Sequence, residues 1–367
     1  MKKAIVVGGG VCGCTAAYLL SKDGWDVTLF EKEKCLGGGI RTFFYGSHPY
    51  TFGPRPLYTP YEKVYKFLNK FIPVKPFKLY LNTFIESDGQ FYSFPIHKDD
   101  IPKMPDARSI YKELEKRPEI KGKMDFEEYY TKSVGKTLYK KFINNYSKKM
   151  WAIKSNKELE DFEWSLKGVA LKTGTKQVRT DLIHAHPTNI DGYNRYFDII
   201  SREFKVKLNC NIQKFDVEKR GIQVNGKWLY SDILVSTTSI DSLFDYCYGE
   251  LKYIGRDFIK LVLPVKQVIP DPVIFLHYPN DEIFTRVVEY KKLYRYKSDT
   301  TLLGMEIPSF NNKLYPYPIK SEKEKAKKYM DSLPKNVFSI GRKGRYVYDN
   351  IGEVVMQGFE LIEKLRI

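Results

Sequence analysis

The sequence predicts an α/β fold in which a domain of alternating strands and helices carries an inserted helical domain and an antiparallel β-sheet domain. Three observations support this prediction. Residues 1–40 give strand, glycine turn, helix and strand, and residues 98–160 place apolar side chains three and four positions apart, as helices do. Residues 257–305 contain several short runs of strand-forming residues. The 367 residues suffice for two or three such units.

The first element is a glycine turn that follows the predicted strand Ala4–Val7. Its G-x-G-x-x-G spacing comprises Gly8, Gly10 and Gly13. In this pattern the first glycine permits a tight turn, the second lets the backbone approach a pyrophosphate, and the third lets helix and strand pack closely. A second predicted strand, 26–30, ends at Glu31, where a ribose-binding acid is expected. Together these features predict a dinucleotide-binding domain.

A second glycine cluster, residues 37–39, comes shortly after this acid. It resembles the E-x-x-x-x-G-G-x-x-x-T/S pattern of FAD enzymes whose Rossmann-like domain is glutathione-reductase-like. The resemblance implies an FAD-binding domain, since plain NAD dehydrogenases lack the second loop. The cofactor contacts predicted in this region are Gly8, Gly10, Val11, Cys12, Gly13, Glu31, Lys32, Gly38, Gly39, Arg41 and Thr42.

The composition is that of a globular protein, with 43% hydrophobic and 15% aromatic residues. No apolar run approaches the ~20 residues of a membrane span, and the five cysteines lack metal-ligand spacing. We therefore expect a reduced, cytoplasmic protein without a bound metal. The net charge of +17 suits a phosphate-bearing substrate. Its lysine-rich runs also contain glutamates, as in SEKEKAKK, which is typical of solvated helix faces, so no nucleic-acid partner is predicted.

Four later segments carry a more specific resemblance. They are YSKKMW at residues 146–151, FTRVVE at 284–289, LYP at 314–316 and GRKGRYVY at 341–348. In the same order, they look like Y-T-x-K-Q-W, Y-T-R-x-x-E, Y-Y-P and G-R-x-x-x-Y-x-Y of the UDP-galactopyranose mutase family. The resemblance extends over nearly the whole chain.

The resemblance implies a three-part fold. The predicted parts are a discontinuous FAD-binding domain at 1–75, 187–245 and 335–367, a helical domain at 97–160, and an antiparallel sheet or substrate domain at 76–96, 161–186 and 246–334.

The resemblance also implies an isomerase that interconverts the pyranose and furanose forms of a nucleotide-diphosphate sugar such as UDP-galactose. In this family the N5 atom of reduced FAD attacks the anomeric carbon, with no net redox change. An electron donor, either NAD(P)H or a flavin reductase, would reduce the FAD. The furanose would supply surface polysaccharide synthesis. Bacterial relatives are often dimeric, which leaves a homodimer open.

The matched motifs further imply site residues, because a diphosphate favours arginine forks and tyrosine hydroxyls. The expected catalytic residues are Arg286, Arg55, Tyr315 and Tyr348. The expected substrate-binding residues are Trp151, Tyr146, Ser147, Lys172, Arg179, Arg286, Tyr315 and Tyr348. The C-terminal half adds the cofactor contacts Phe215, Val217, Arg342, Asn350 and Ile351.

Several of these assignments have structural alternatives. Arg286 could be a surface strand arginine, and Arg342 could cap a helix or pair with an acid instead of lying beside the flavin. Trp151 could be a core residue at a helix end instead of stacking on the nucleotide base.

The chain departs from the family pattern around the sugar and the flavin. The second diphosphate arginine has no clear counterpart; Lys172 is the nearest match and Arg179 is the alternative. The family's G-A-H-I-F-H-T loop is GPRPLYT here, so Arg55 and Tyr58 replace its histidines, and His48 is a candidate substitute. The sugar and the nucleotide therefore stay open.

Two other functions are also open. An FAD oxidoreductase of the amine oxidase or protoporphyrinogen oxidase type would share the N-terminal turn and a similar C-terminal G-R loop. A flavin-binding protein without catalysis would recruit partners through its basic surface. The four later segments disfavour the first, and Arg286 with the intact glycine loops disfavours the second more weakly.

Overall fold

The computed structural model of the chain describes residues 1–159 and 171–366. In chain order the strands are β1 Lys3–Val7, β2 Asp26–Phe30, β3 Phe43–Tyr45, β4 His48–Tyr50, β5 Leu57–Thr59, β6 Val74–Pro76, β7 Tyr80–Ile85, β8 Gln90–Phe94, β9 Ile183–Pro187, β10 Lys205–Lys207, β11 Lys214–Asp216, β12 Gly221–Val224, β13 Lys227–Tyr230, β14 Ile233–Ser236, β15 Tyr253–Leu263, β16 Val273–His277, β17 Arg286–Glu289, β18 Thr301–Ser309, β19 Tyr315–Pro316 and β20 Val337–Ser339. The α-helices are α1 Val11–Lys22, α2 Glu62–Asn69, α3 Ala107–Glu115, α4 Phe126–Tyr139, α5 Asn145–Trp151, α6 Asn194–Ile200, α7 Tyr290–Tyr294, α8 Lys320–Asp331, α9 Gly341–Gly344 and α10 Ile351–Arg366.

Five parallel strands form the first sheet, in the order β10-β2-β1-β14-β20. Successive side chains of a strand point to opposite faces of the sheet. In β1, Ala4 and Val6 belong to a core cluster with α1, α6 and α10. Ile5 and Val7 belong to another cluster, shared with the strands β11 and β12. Both faces are therefore covered, as in other buried parallel sheets, and the expected Rossmann-like domain is confirmed.

The second large sheet has seven strands, in the order β19-β15-β18-β17-β16-β7-β8. Its neighbouring strands are antiparallel except for β7 and β16, which run parallel. The expectation of an antiparallel sheet therefore fails at one pair. The reason is that β7 belongs to a separate hairpin, with β8, and is not joined to β16 by a tight turn.

The helix α4 of the predicted helical domain packs on this seven-stranded sheet. Phe126 and Tyr130 of α4 share one buried cluster with Leu81 of β7 and Phe275 of β16. The helix α4 begins after Asp125, whose carboxylate accepts a hydrogen bond from the Glu128 N–H at 2.8 Å. Within residues 1–159 and 171–366, no helix combines the length and apolarity needed to cross a membrane.

The C-terminal segment returns to the start of the chain. It consists of β20, a loop at Gly341 and the helix α10, which packs beside α1. A Cβ added at Gly358 of α10 would lie 3.0 Å from Cγ2 of Thr15 in α1, so the two helices approach closely. The domain boundaries stay a prediction, and the one between residues 160 and 161 lies outside the described residues.

Candidate active site

The glycine turn after β1 has two positions that exclude a side chain and one that is open. A Cβ added at Gly8, where φ is +102°, would lie 2.2 Å from Oγ1 of Thr237, and one at Gly13 would lie 2.0 Å from the Gly8 carbonyl oxygen. Nothing described lies within 4 Å of a Cβ added at Gly10. Gly10 directly precedes α1, whose first turn holds no acidic residue. The turn therefore leaves room for an anionic group at the helix N-terminus.

The second glycine loop packs directly on the first. The Gly37 N–H donates to the Gly9 carbonyl at 2.8 Å, and a Cβ at Gly38 would lie 3.1 Å from Cα of Gly10. Glu31 is buried, and its carboxylate accepts hydrogen bonds from the N–H groups of Gly9 at 2.5 Å and Glu33 at 2.9 Å. Glu31 thus shapes the turn, and its contact with a ribose stays a prediction.

The remaining predicted cofactor residues lie at several places around these loops. Arg41 donates to the Leu36 carbonyl at 3.3 Å, and Thr42 exchanges backbone hydrogen bonds with the Asn194 side chain, both at 2.9 Å. Val11 and Cys12 begin α1, and Lys32 is exposed. Phe215 and Val217 pack against the core cluster that contains Ile5 and Val7 of β1. Asn350 directly precedes α10, and Ile351 is its first residue. A Cβ at Gly341 would lie 3.2 Å from Cβ of Cys12, so the C-terminal loop reaches the glycine turn. These residues fit a dinucleotide cofactor.

Strand pairing places the substrate-side residues on one face of the seven-stranded sheet. Arg286 of β17 pairs with Glu306 of β18 and with His277 of β16, and paired residues share a face. Arg256 of β15 lies two residues beyond Ile254, which pairs with Tyr315 of β19. Because alternate residues of a strand share a face, Arg256 and Tyr315 project from the same side.

Arg286 and Glu306 form a buried ion pair. The Arg286 Nη2 atom lies 2.7 Å from Oε2 of Glu306, and the side chains are 17% and 1% exposed. Burial acts to lower the pKa of Arg286, but the Glu306 carboxylate outweighs it and raises the pKa, so the guanidinium stays charged. Nε of Arg286 and Oε1 of Glu306 are buried without a hydrogen-bond partner among the described residues. The pair therefore keeps unused donor and acceptor capacity.

Beside this pair lies a second group, which we call the arginine–tyrosine cluster: Arg55, Arg256, Arg342, Tyr315 and Tyr348. The guanidinium carbons of Arg342, Arg256 and Arg55 lie 4.8, 5.1 and 5.8 Å from the centre of the Tyr315 ring. The Tyr315 and Tyr348 rings stack, with centroids 5.1 Å apart and planes 16° from parallel. Three cations thus surround one buried phenol.

The cluster perturbs both tyrosines, in opposite directions. Burial raises the pKa of Tyr348. Burial also acts to raise the pKa of Tyr315, but Arg55, Arg342 and Arg256 outweigh it and lower that pKa to about 7. A phenol with a pKa near neutrality is characteristic of a functional site.

Arg55 and Arg342 connect this cluster to the cofactor side. The Nη1 atom of Arg55 donates to the Tyr315 hydroxyl at 3.0 Å, and its Nε donates to the Gly39 carbonyl at 3.1 Å. Arg342 donates through Nε to the Asp349 carbonyl at 2.9 Å, just before α10. Arg55 therefore joins the second glycine loop to the sheet residues, and Arg342 joins them to the loop that precedes α10.

The residues predicted in α5 are all buried: Trp151, Tyr146 and Ser147. The Trp151 ring meets Tyr348 and Tyr315 edge-on, at centroid distances of 6.0 and 6.4 Å. This is the position of a helix-end core residue, the alternative given by the sequence, and stacking on a base stays a prediction. Burial raises the pKa of Tyr146 to about 12, so its hydroxyl keeps its proton.

Lys172 and Arg179 are engaged within their own segment and are not members of the arginine–tyrosine cluster. The Lys172 ammonium donates to the carbonyls of Gln177 and Val178. Nε and Nη2 of Arg179 donate to the two carboxylate oxygens of Asp181. The geometry therefore does not support the prediction that either replaces the family's second diphosphate arginine. Arg179 is neutralised by Asp181, and Lys172 is held by two carbonyls of its own segment, so a contact of either residue with a phosphate stays a prediction.

His48 and Tyr58 also have other partners. The ring nitrogens of His48 bond the Tyr296 hydroxyl and, at 3.0 Å, Oγ1 of Thr300, and burial lowers the pKa of His48. Tyr58 pairs with His184 across β5 and β9, with ring centroids 5.0 Å apart. His48 therefore links β4 to the segment of Tyr296 and Thr300, and Arg55 contacts the second glycine loop at Gly39.

Sequence reasoning missed Arg256 and Glu306. Each is a charged residue within a largely apolar strand, in YIGRDFIKLVL and TLLGMEIPS, and each is buried. A charge on the inward face of a buried strand is costly unless it is paired or used, and this was the available signal.

Comparison with known proteins identifies the family of this chain. A family profile described as UDP-galactopyranose mutase matches residues 141–348, more than half of the chain, and a profile for an NAD(P)-binding Rossmann-like domain matches residues 6–71. A dTDP-fucopyranose mutase from Escherichia coli is 24% identical, over 98% of this chain and 97% of the relative. A UDP-galactopyranose mutase from Mycoplasma pneumoniae is also 24% identical, over 98% and 95%.

Solved structures show the same fold. The crystal structure of a reduced UDP-galactopyranose mutase superposes with a TM-score of 0.83 at 19% identity, covering 100% of this chain and 95% of that one. A putative protoporphyrinogen oxidase from Exiguobacterium superposes with a TM-score of 0.73 at 11% identity, covering 99% and 98%. The profile match over residues 141–348 distinguishes between these two groups. The chain belongs to the UDP-galactopyranose mutase family of isomerases.

Proposed function

We propose that this protein is a flavin-dependent mutase that interconverts the pyranose and furanose forms of a nucleotide-diphosphate sugar. The observation that carries the proposal is the bridge made by Arg55, which bonds Gly39 in the cofactor loop and Tyr315 in the arginine–tyrosine cluster. A diphosphate bound by the cluster would therefore lie beside a flavin bound by the glycine loops. Proximity of these two groups is what the reaction requires.

The charges of the cluster support a diphosphate ligand. Its three guanidinium groups surround Tyr315, and a nucleotide-diphosphate sugar carries two negative charges. Nε and Nη2 of Arg256 are buried without a partner among the described residues, as is Nε of Arg286. A hydrogen bond to a phosphate oxygen contributes most binding free energy when the donor is buried without a partner, because the cost of removing that donor from water has already been met. We assign Arg256 and Arg286 as the principal diphosphate-binding arginines.

The protein's part in the reaction is to hold the diphosphate, orient the sugar and exclude water. Arg256, Arg286 and Arg342 would retain the diphosphate while its bond to the sugar is broken, so that it can return. The buried rings of Trp151 and Tyr315, with the partly buried ring of Tyr348, would limit the access of water to the reacting carbon. Reduced FAD at the glycine loops would supply N5 as the nucleophile for that carbon.

The proposed substrate class covers more than one sugar and nucleotide. One relative is named for dTDP-fucopyranose and another for UDP-galactopyranose, so both nucleotides belong in any test. The loop residue Arg55, where the family has a histidine, also argues against assuming UDP-galactose. The furanose product would serve surface polysaccharide synthesis.

The second candidate is an FAD oxidoreductase, which the likeness to a putative protoporphyrinogen oxidase favours. An apolar or amine substrate would leave the guanidinium groups of the arginine–tyrosine cluster without an anionic ligand, and the desolvation cost would be largest for Arg256, which is buried. The arginine–tyrosine cluster therefore favours the mutase.

One experiment separates these functions. The purified holoenzyme, with its flavin reduced by dithionite, is incubated anaerobically with UDP-galactose, dTDP-fucose and other UDP-, dTDP- and GDP-sugars, and the products are separated by chromatography. We expect a product of unchanged mass from at least one ligand, formed only when the flavin is reduced. Oxygen-dependent oxidation of a substrate would identify an oxidoreductase instead. Binding without any product would identify a flavin-binding protein without catalysis.

A further inference from the structure

Arg55 occupies an unusual position between the two halves of the site. It lies in the loop before β5, and its guanidinium donates to the Gly39 carbonyl at 3.1 Å and to the Tyr315 hydroxyl at 3.0 Å. The two acceptors belong to segments more than 250 residues apart in the chain. A planar guanidinium can bond both at once in a fixed geometry, whereas the imidazole that the family has here presents only two ring nitrogens.

Resting on the proposed function, we propose that Arg55 is a positioning residue: it holds the Tyr315 hydroxyl so that its single proton is donated to the diphosphate of the substrate. A tyrosine hydroxyl has one proton to donate and an oxygen that accepts. The Arg55 bond engages the oxygen as an acceptor. The proton must then point to a different partner, and an anionic phosphate oxygen is the partner that the cluster attracts.

The surroundings of Tyr315 decide how long it keeps this proton. Arg55 faces it from the loop before β5, Arg256 from β15 and Arg342 from α9. Glu306 of β18 opposes these cations, but it is itself paired with Arg286. Trp151 and Tyr348 cover the ring with aromatic surface. The charges nearest to Tyr315 therefore favour its ionised form in the absence of substrate.

A bound diphosphate reverses this balance. Its negative charges favour neutral Tyr315, which can donate, over tyrosinate, which would repel it. The pKa of Tyr315 in the free protein is lowered to about 7, after burial is outweighed by the three arginines. Below that pKa binding needs no proton; above it binding takes up one proton. Affinity for a nucleotide sugar should therefore fall by up to tenfold per pH unit as the pH rises above about 7.

The first test follows the ionisation of Tyr315 in the holoenzyme with oxidised FAD and no ligand. The tyrosinate absorbance of the protein is titrated between about pH 6 and pH 9, and the titration of Tyr315→Phe is subtracted. We expect a step near pH 7 that moves up by at least about one pH unit in Arg55→Gln, but stays within about half a unit in Arg55→Lys, which keeps the charge. Arg366→Gln, which removes a guanidinium paired with Asp23 at the end of α10, is the control and should leave the step in place.

The second test measures the dissociation constants of UDP-galactose and dTDP-fucose between about pH 7 and pH 9, where their diphosphates do not titrate. Oxidised FAD prevents turnover. For the tighter ligand we expect a pH dependence in the wild type that is displaced to higher pH in Arg55→Gln, and so reduced over this range, and that is lost in Tyr315→Phe. Arg55→Gln should bind more weakly at pH 7 because a cation is missing.

The outcomes of the two tests are distinct. The inference is overturned if the tyrosinate titration of the wild type has no step that depends on Tyr315. It is also overturned if this step lies at the same pH in Arg55→Gln and Arg55→Lys, as expected if Arg55 has only a structural role. A normal step without binding of either nucleotide sugar overturns the proposed function, and the diphosphate contact with it. A normal step with binding that does not depend on pH overturns the proton donation alone.

Discussion

The two halves of the site are built from different kinds of groups. The cofactor half is centred on the two glycine loops within residues 4–42, with the loop at Gly341 beside them, and relies on backbone N–H groups, a helix N-terminus and small side chains. The substrate half collects guanidinium groups from separate segments, at Arg55, Arg256, Arg286 and Arg342. A close-packed backbone is sensitive to added volume, whereas a guanidinium is sensitive to the loss of its charge or its fork. The two halves should therefore fail in different ways when they are mutated.

The largest effect is expected from added volume at Gly13. A Cβ there would lie 2.0 Å from the Gly8 carbonyl oxygen, which is backbone and cannot rotate away. We expect Gly13→Ala to lose bound FAD and to lower the free energy of unfolding of the FAD-free protein by at least ~1–3 kcal/mol, the usual cost of overpacking. Flavin absorbance per chain and thermal unfolding measure the two effects.

Gly10→Ala is the matched control for this prediction. Nothing described lies within 4 Å of the added Cβ, and the backbone φ of −73° is ordinary for alanine. The FAD-free protein should unfold as the wild type does, while FAD binds more weakly because the methyl group obstructs the pyrophosphate. Equal destabilisation of the two FAD-free variants would contradict the distinction drawn between these glycines.

Loss of charge at Arg286 should have the next largest effect. Arg286→Ala is expected to lower kcat/KM at least about a hundredfold while FAD stays bound, because a phosphate ligand is lost and the cofactor loops are untouched. It also leaves Glu306 buried without its partner, which typically costs about 3–5 kcal/mol of stability. Adding Glu306→Gln should recover much of the stability but not the activity. Turnover close to that of the wild type would refute the phosphate assignment.

A smaller effect is expected when only the fork of Arg256 is removed. Arg256→Lys keeps the positive charge but cannot offer two parallel donors. We expect KM for the nucleotide sugar to rise by about tenfold, which corresponds to the loss of roughly one charge-assisted hydrogen bond. The change in kcat should be smaller. Flavin content should not change. Wild-type KM in both Arg256→Lys and Arg256→Gln would remove this residue from the diphosphate site.

The smallest effect is expected at Lys172 and Arg179, which are engaged with their own segment. Lys172→Gln and Arg179→Gln should each change kcat/KM by no more than about twofold, as expected for groups away from the ligand. A loss of tenfold or more in either variant would restore the assignment first made from the sequence.

The local features were predictable because each depends on neighbouring residues. The turn at Gly8 and Gly13 and the strand Asp26–Phe30 follow from short-range spacing and turn chemistry. Tyr315 was found because its short motif resembles that of a family.

Arg256 was missed because its role depends on pairing that is not local. Only the pairing of Ile254 with Tyr315 brings Arg256 to the phenol, and the two strands are separated by β16, β17 and β18 in the chain. The same limit applies to Glu306, whose pairing with Arg286 is a matter of strand register. Register across a sheet is set by tertiary packing, so the residue types alone did not reveal these partners.

The nested order of the two large sheets has a consequence for biosynthesis. The parallel sheet takes β1 and β2 from the first 30 residues but β20 from residues 337–339, and the strands of the seven-stranded sheet, β7 to β19, lie between them. The cofactor domain therefore cannot close until residue 339 has left the ribosome. Until then the edge of β14 that receives β20 stays unpaired. Sheets closed by such distant strands form slowly, because loop closure precedes the contacts that stabilise them.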